Sequence, residues 1–150
     1  MLITKYIECD IGHRITNHRS KCKNLHGHRY RIVVGVDDKI INQSGASDEG
    51  MVIDFSDLKE LMMTNIDGVY DHGFMIWEKD PLASFFIIEK NKGMKIIITS
   101  FIPTAENFAK YLFSVMNIEL AKRNIKCEFV EVYETPTSTA KYTRTDYENM

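Results

Sequence analysis

The stretch "CKNLHGHRYRIVVGVD", residues 22–37, decides the fold that the rest of the chain completes. Residues 27–37 are rich in β-formers and predict a strand. Along a strand, side chains two residues apart point to the same side, so His26 and His28 present both imidazoles to one point in space. Cys22 precedes them by a few residues. The stretch therefore predicts a strand that begins at a candidate metal site with a thiol nearby.

A catalytic zinc centre needs three protein ligands and one open position. His13 ends the first predicted strand, residues 2–12, and a hairpin would bring that end beside the start of the second strand. His18 is the alternative third ligand, although it lies in the middle of a loop. A closed structural zinc site fits less well, because such sites take four Cys or His ligands with closely spaced cysteine pairs. We predict one zinc ion bound by His13, His26 and His28.

The rest of the chain alternates strands with helices. Outside the first two strands the pattern predicts a helix within 51–67 capped by Asp54 or Ser56, a short hairpin within 85–102, a helix over 103–124 capped by Thr104, and strands at 126–135 and 140–146. The order β-β-α-(β-β)-α-β-β indicates an α+β fold, with two main helices packed on one face of an antiparallel sheet.

Length and composition limit the class of protein. With 150 residues, 44% of them hydrophobic, and a net charge of −2, the chain is expected to form a single globular domain over 1–150 with no general affinity for nucleic acid or membranes. No apolar run reaches the roughly 18 residues of a membrane span. The N-terminus lacks the features of a signal peptide, so a cytoplasmic location is expected. The three cysteines argue against a disulfide framework.

Residues 14–31 form a basic stretch, although the chain as a whole has a net charge of −2. It contains no acid and six bases: Arg14, Arg19, Lys21, Lys23, Arg29 and Arg31. Two interpretations are open, a solvated basic loop or a collar for an anionic small molecule beside the histidines. Three further sites carry candidate acids, namely Asp71 next to His72, Glu106 in a predicted first helical turn, and Glu134 at a strand end; each is also typical of an ordinary surface position.

Six segments, taken in order, resemble the 6-pyruvoyltetrahydropterin synthase / 6-carboxytetrahydropterin synthase family. They are "GHR" at 12–14, "CKNLHGH" at 22–28, "GMVIDFSDLK" at 50–59, "DH" at 71–72, "PTAEN" at 103–107 and "YET" at 133–135. The resemblance implies the tunnelling fold, a ββααββ unit, here with a short hairpin inserted. It also implies a ring-like hexamer with active sites at subunit interfaces.

The resemblance assigns a role to each candidate residue. It implies zinc at His13, His26 and His28, and a catalytic thiol at Cys22. It makes Asp71 and His72 an acid/base dyad supplied from a neighbouring subunit. It makes Glu134 the carboxylate that anchors the pterin ring, with Glu106 and Thr104 nearby. The implied substrate is 7,8-dihydroneopterin triphosphate, for which the basic stretch would be a collar.

Within the family, the spacing favours one activity. Three residues separate Cys22 from His26, as in bacterial 6-carboxytetrahydropterin synthases of the 7-deazaguanine (queuosine) pathway, which release triphosphate and acetaldehyde. The animal pyruvoyl enzymes have a longer spacing. The alternatives are triphosphate elimination to a pyruvoyl product and a non-catalytic pterin- or purine-binding relative. The stretch 73–102 is longer than in the compact bacterial enzymes and directly follows the dyad.

Overall fold

The structure, a computed structural model, describes residues 1–150 and is built on one six-stranded sheet. The strands are β1 (Leu2–His13), β2 (His26–Asp37), β3 (Phe74–Trp77), β4 (Ile96–Thr99), β5 (Cys127–Thr135) and β6 (Ser138–Thr143). The helices are α1 (Phe55–Met62), α2 (Gly68–Tyr70), α3 (Ala83–Asn91), α4 (Ala105–Ala121) and α5 (Arg144–Glu148). The sheet order is β4-β3-β1-β2-β5-β6. The predicted α+β class is confirmed.

The long β1–β2 hairpin sets the geometry of the whole molecule. The two strands pair antiparallel from Leu2 opposite Asp37 to His13 opposite His26. Alternation along both strands places apolar side chains on one face, where α1 and α4 cover them. The same alternation puts His13, His26 and His28 on that covered face, at the end of the hairpin. The sheet register therefore positions the predicted ligands before any loop contributes.

The two main helices begin where the sequence predicts. The side chain of Asp54 accepts a hydrogen bond from the backbone N–H of Ser56, and Thr104 accepts one from Asn107. Residues 63–67 widen into a π-helical turn before α2, and Asp71 follows directly. None of the helices combines the length and the apolar character that crossing a membrane requires.

The predicted hairpin within 85–102 is wrong. Residues 83–91 form α3, and the strands that flank this helix, β3 and β4, are parallel to each other. Strand β3 also pairs in parallel with the end of β1. The sheet is therefore mixed rather than antiparallel. The final strand is also shorter than predicted, because it ends at Thr143, whose hydroxyl caps α5.

The error in the inserted segment, residues 85–102, has a physical cause. A glycine after "NK" fits a hairpin turn and equally fits a helix end, and Gly93 has a φ of 100° just after α3. The run "IIIT" of β4 is apolar on both faces, as is typical of parallel strands that are covered on both sides. Phe86 of α3 packs with Ile76 and Ile96 in a second small core. Met75, one residue along β3, belongs to the main core, so α3 covers the opposite face of the sheet.

A buried carboxylate fastens this inserted segment to the loop that follows β1. Asp80 lies 3.2 Å from the guanidinium of Arg14, accepts the hydroxyl hydrogen of Thr16, and accepts the backbone N–H of Leu82. The side chain of Asp80 is fully buried. An unpaired charge would be costly at this position.

Replacing Asp80 with asparagine should therefore destabilise the protein. We expect the free energy of unfolding to fall by about 3 kcal/mol, because Arg14 keeps a largely buried charge without its partner. Urea denaturation measures the change. The matched control is Asp57→Asn, which breaks the 2.8 Å pair between Arg123 and a half-exposed carboxylate. That change should cost less than about 1 kcal/mol, and equal losses in the two variants would contradict the prediction.

Candidate functional site

Three imidazoles meet at the end of the β1–β2 hairpin. The ring centroids of His13 and His26 are 4.5 Å apart, those of His13 and His28 5.2 Å, and those of His26 and His28 5.1 Å. One ligand nitrogen from each ring lies within 4.8 Å of the other two. The alternative ligand, His18, is not in this cluster; its Nδ1 accepts a hydrogen bond from the backbone of Ser20. The sheet thus brings together the three predicted ligands.

The hydrogen bonds of these rings fit a metal ligand set. Nδ1–H of His13 donates to the carbonyl oxygen of Pro103, and Nδ1–H of His26 donates to that of Asn24, each at 2.8 Å. Such bonds fix the tautomer and leave the Nε2 lone pair free for a metal. The Nε2 atom of His28 is buried without a hydrogen-bond partner. A buried nitrogen left in this way points to an absent partner, and zinc fits this donor set.

Burial also controls protonation at this site. It lowers the pKa of His13 to about 4, and it lowers the pKa of His28 as well, with the neighbouring imidazoles acting in the same direction. Metal ligation requires the neutral imidazole. The fold therefore keeps His13 in its ligating form at neutral pH.

The same shift predicts a pH dependence for the metal-free protein. An unfolded histidine titrates near 6.5, whereas folded His13 titrates at about 4. Between these values only the unfolded chain binds the proton, so the free energy of unfolding should decrease by about 3 kcal/mol as the pH falls through this window. Urea denaturation of chelator-treated protein at pH 7 and at pH 4.5 measures the change. His13→Gln should show a smaller pH dependence, and an identical dependence would contradict the assignment.

Cys22 lies beside the triad in a separate small cavity. This cavity, of about 260 Å³, is also lined by His18, Thr104, Glu106 and Glu134. Cys22 is half-buried in a short turn, Lys21–Lys23, and its carbonyl accepts a hydrogen bond from the backbone N–H of Ile15. The thiol is outside the cluster of ligand nitrogens. The fold thus gathers the predicted thiol and the three predicted pterin-binding residues around one cavity.

Glu134 bridges this cavity and the triad. Its Oε1 lies 3.7 Å from Nε2 of His28, and its Oε2 lies 4.0 Å from Nε2 of His13. Tyr30, buried two residues after His28 on the same face, places its hydroxyl 3.2 Å from Nδ1 of His13. Sequence reasoning missed Tyr30, although the period of two that pairs His26 with His28 also selects it.

Asp71 and His72 form a hydrogen-bonded pair on a tight turn. Nδ1 of His72 lies 2.7 Å from Asp71 Oδ2, and Asp71 Oδ1 accepts the backbone N–H of Asp10. That backbone hydrogen bond, with the bond to His72, lowers the pKa of Asp71. The ammonium of Lys95, which sequence reasoning did not single out, donates to the carbonyl oxygens of Asp71 and Gly68 at 2.6 Å and 3.1 Å.

The dyad and the thiol do not face each other within one chain. His72, whose side chain is 78% exposed, lines a different cavity of about 640 Å³ together with Arg29 and Lys95. Neither Asp71 nor His72 lines the cavity that contains Cys22. Within a single chain, the predicted thiol and the predicted acid/base dyad therefore lie at two different cavities.

The six bases of the 14–31 stretch divide into two groups. Arg14, Arg29 and Arg31 form ion pairs with Asp80, Asp10 and Glu8, respectively. Arg19, Lys21 and Lys23 form none and are exposed on either side of Cys22. Only the second group has its positive charge available for an anionic ligand.

Comparison with known proteins identifies a family that covers most of the chain. The family model for 6-pyruvoyl tetrahydropterin synthase matches residues 2–145. A 6-carboxy-5,6,7,8-tetrahydropterin synthase of Rickettsia conorii is 36% identical over 135 residues, which are 89% of this chain and 93% of that protein.

Solved structures share the fold. A protein of Wolinella succinogenes whose function is uncharacterized superposes with a TM-score of 0.78 at 24% identity, over 96% of this chain and 98% of that one. The 6-pyruvoyl tetrahydropterin synthase of Caenorhabditis elegans gives a TM-score of 0.67 at 24% identity, over 95% and 94% of the two chains. The predicted tunnelling fold is therefore confirmed. With its family match, its relatives and its fold, the chain belongs to the 6-pyruvoyl tetrahydropterin synthase family.

Proposed function

We propose that the protein is a zinc-dependent 6-carboxy-5,6,7,8-tetrahydropterin synthase that converts 7,8-dihydroneopterin triphosphate and releases triphosphate and acetaldehyde. The observation that carries the proposal is the ligand-ready histidine triad, which adjoins a cavity lined by Cys22 and Glu134. The relative from Rickettsia conorii, named for this activity, supports the choice of reaction. The product would enter 7-deazaguanine (queuosine) synthesis.

Substrate binding follows from the charges around the cavity. The 2-amino group and N3–H of a pterin are parallel donors that one carboxylate can accept together, and Glu134 supplies that carboxylate. Glu106 and Thr104, on the first turn of α4, line the same cavity. The triphosphate would lie against Arg19, Lys21 and Lys23, whose charges have no partner in the chain.

The chemistry divides between the metal ligands and two proton-transferring groups. When bound, zinc would polarise the oxygens of the substrate side chain and increase the acidity of a hydroxyl group on that side chain. Cys22, flanked by two lysines, would accept a proton from the substrate as a thiolate. His72, oriented by its hydrogen bond to Asp71, would transfer a second proton.

The dyad is proposed to serve the cavity of a neighbouring subunit. The separation of His72 from Cys22 within one chain supports this arrangement. The edge strands β4 and β6 also leave both ends of the sheet without partners, and a closed ring would cover them.

We therefore expect an assembly larger than a dimer, with a hexamer as the proposed form. Sedimentation velocity across a range of protein concentrations measures the assembly. The activity should follow the oligomer fraction, because each complete site needs residues from two chains. A stable monomer that retains full activity would contradict both the ring and the shared site.

Turnover tests the proposed function directly. Zinc-loaded protein is incubated with 7,8-dihydroneopterin triphosphate, and the products are identified by mass. The expected products are 6-carboxytetrahydropterin, acetaldehyde and triphosphate. A pyruvoyl product would identify the alternative synthase activity, and binding without turnover would identify a non-catalytic pterin-binding relative. The single domain and the cytoplasmic location stay predictions.

A further inference from the structure

Glu134 faces the triad in a way that pterin binding alone does not explain. Its carboxylate oxygens approach Nε2 of His28 at 3.7 Å and Nε2 of His13 at 4.0 Å. The hydrogen of the His13 ring is committed to Nδ1, which donates to the carbonyl of Pro103. Nε2 of His13 therefore carries a lone pair, and so does the carboxylate oxygen opposite it.

No hydrogen bond joins the carboxylate to either imidazole, although the Tyr30 hydroxyl lies 3.3 Å from Nε2 of His13. The 3.7 Å separation between Glu134 and His28 is longer than a hydrogen bond, and Nε2 of His28 is buried without any partner. Acceptor atoms that converge without a hydrogen between them are stabilised by a cation placed among them. The carboxylate oxygens thus border two of the three imidazoles from outside the cluster of ligand nitrogens.

The spacing also suits a shared zinc ion. Zinc bonds to nitrogen and oxygen are about 2.0–2.2 Å long, so two donors on a tetrahedral ion are separated by roughly 3.4 Å. The observed separations of 3.7 Å and 4.0 Å exceed this value by only a few tenths of an ångström. Because the two separations belong to different carboxylate oxygens, ligation requires a rotation of the Glu134 side chain that brings one oxygen to the cluster of nitrogens.

Two features place the carboxylate beside the triad and leave it able to move. Glu134 lies near the end of β5, which pairs with β2 beside the triad. The buried hydroxyl of Tyr30 lies 3.2 Å from Nδ1 and 3.3 Å from Nε2 of His13, and burial together with the negative charge of Glu134 raises the pKa of this hydroxyl. The side chain of Glu134 is also 26% exposed, so it has room to move outwards.

We propose that Glu134 is the fourth zinc ligand in the substrate-free protein and that it leaves the metal to bind the pterin. This inference rests on the proposed function and replaces the open fourth position expected from the sequence by one that Glu134 occupies until substrate arrives. The pterin's two donors attract the carboxylate away from the metal, and a side-chain oxygen of the substrate takes the vacated position. Metal access is thereby coupled to recognition of the correct ring.

Zinc affinity and a cobalt spectrum test the inference without relying on turnover. Glu134→Ala should still bind one zinc per chain through its three histidines, but competition with a chelator should show affinity about tenfold or more weaker. The visible spectrum of the Co²⁺-substituted variant should differ from that of wild-type protein, because a water replaces the carboxylate. Glu106→Ala, which removes a carboxylate from the same cavity, should leave both readouts unchanged.

A second measurement follows the release step. Adding neopterin, which has the pterin donors but no triphosphate, to Co²⁺-substituted wild-type protein should shift its spectrum towards that of Glu134→Ala. Equal zinc affinity and an identical cobalt spectrum in wild type and Glu134→Ala would overturn the inference while leaving the proposed function intact. A wild-type protein that binds zinc and shows these spectra but turns over no substrate would instead reject the proposed function.

Discussion

Cys22→Ser should lower turnover of 7,8-dihydroneopterin triphosphate by roughly two to four orders of magnitude while leaving one zinc ion per chain. This is the usual contribution of a general acid–base group, and serine is a far weaker base than a thiolate. Zinc should stay because the thiol lies outside the cluster of ligand nitrogens. Steady-state kinetics and metal analysis on the same preparation measure both quantities.

The Cys22→Ser variant distinguishes a catalytic base from a fourth zinc ligand. If Cys22 were a ligand, its loss would remove zinc and activity together. If the serine variant keeps both its zinc and its full rate, the thiol has neither role. Ser20→Ala is the matched control, because it changes an exposed position of the same loop and should keep both zinc and rate.

Alkylation gives an independent check that Cys22 is the accessible thiol. Cys9 and Cys127 are buried, and burial raises the pKa of each to about 12. Iodoacetamide at neutral pH should therefore modify Cys22 alone, and pterin binding should slow the reaction. Modification of Cys9 or Cys127 in the folded protein at a similar rate would contradict the assignment.

His28→Ala should remove most of the zinc and with it nearly all of the activity. The variant keeps two imidazoles and Glu134, whose carboxylate adds only about tenfold to zinc affinity in the arrangement proposed above, so a weak chelator should remove most of the metal. The Nε2 atom of His28 is buried and has no hydrogen-bond partner in the protein, so no other contact explains its position. Metal analysis after dialysis against a weak chelator measures the loss, and circular dichroism verifies that the variant is folded.

His18→Ala is the matched control for this second experiment. His18 lies in the loop after β1, but it is outside the triad. Its removal should leave the zinc content unchanged. Full zinc content in both His28→Ala and His26→Ala would place the metal elsewhere in the molecule.

Local sequence patterns determined the parts of the site that lie on one strand or one turn. The period of two along β2 brings His26 and His28 to one side, and a hairpin of equal arms places His13 opposite His26. The helix caps at Asp54 and Thr104 could also be predicted from the sequence, because a cap involves residues only two or three positions apart. The histidine triad and the start of both main helices could therefore be predicted from the sequence.

The inserted segment could not be predicted in the same way. The run "FFIIEK" has β-forming composition, yet it folds as α3 because Phe86 packs onto a sheet face that only β3 and β4 create. The parallel pairing of those strands depends on which open edge is available, and β1 offers it. Here the packing against spatial neighbours overrides the β propensity of the segment. The sequence therefore predicts a hairpin, whereas a β-α-β unit forms.

By itself, then, the sequence determined the family, the α+β class, the residues of the histidine triad and the identity of the candidate thiol, because each rests on residue type and short spacing. Only the tertiary structure decided how distant groups meet. It turned Glu134 towards the triad, buried Asp80 against Arg14, and separated Asp71 and His72 from Cys22. These contacts join residues that are dozens to more than a hundred positions apart. Sheet register and burial bring such residues together, and neither can be predicted from a short-range sequence pattern.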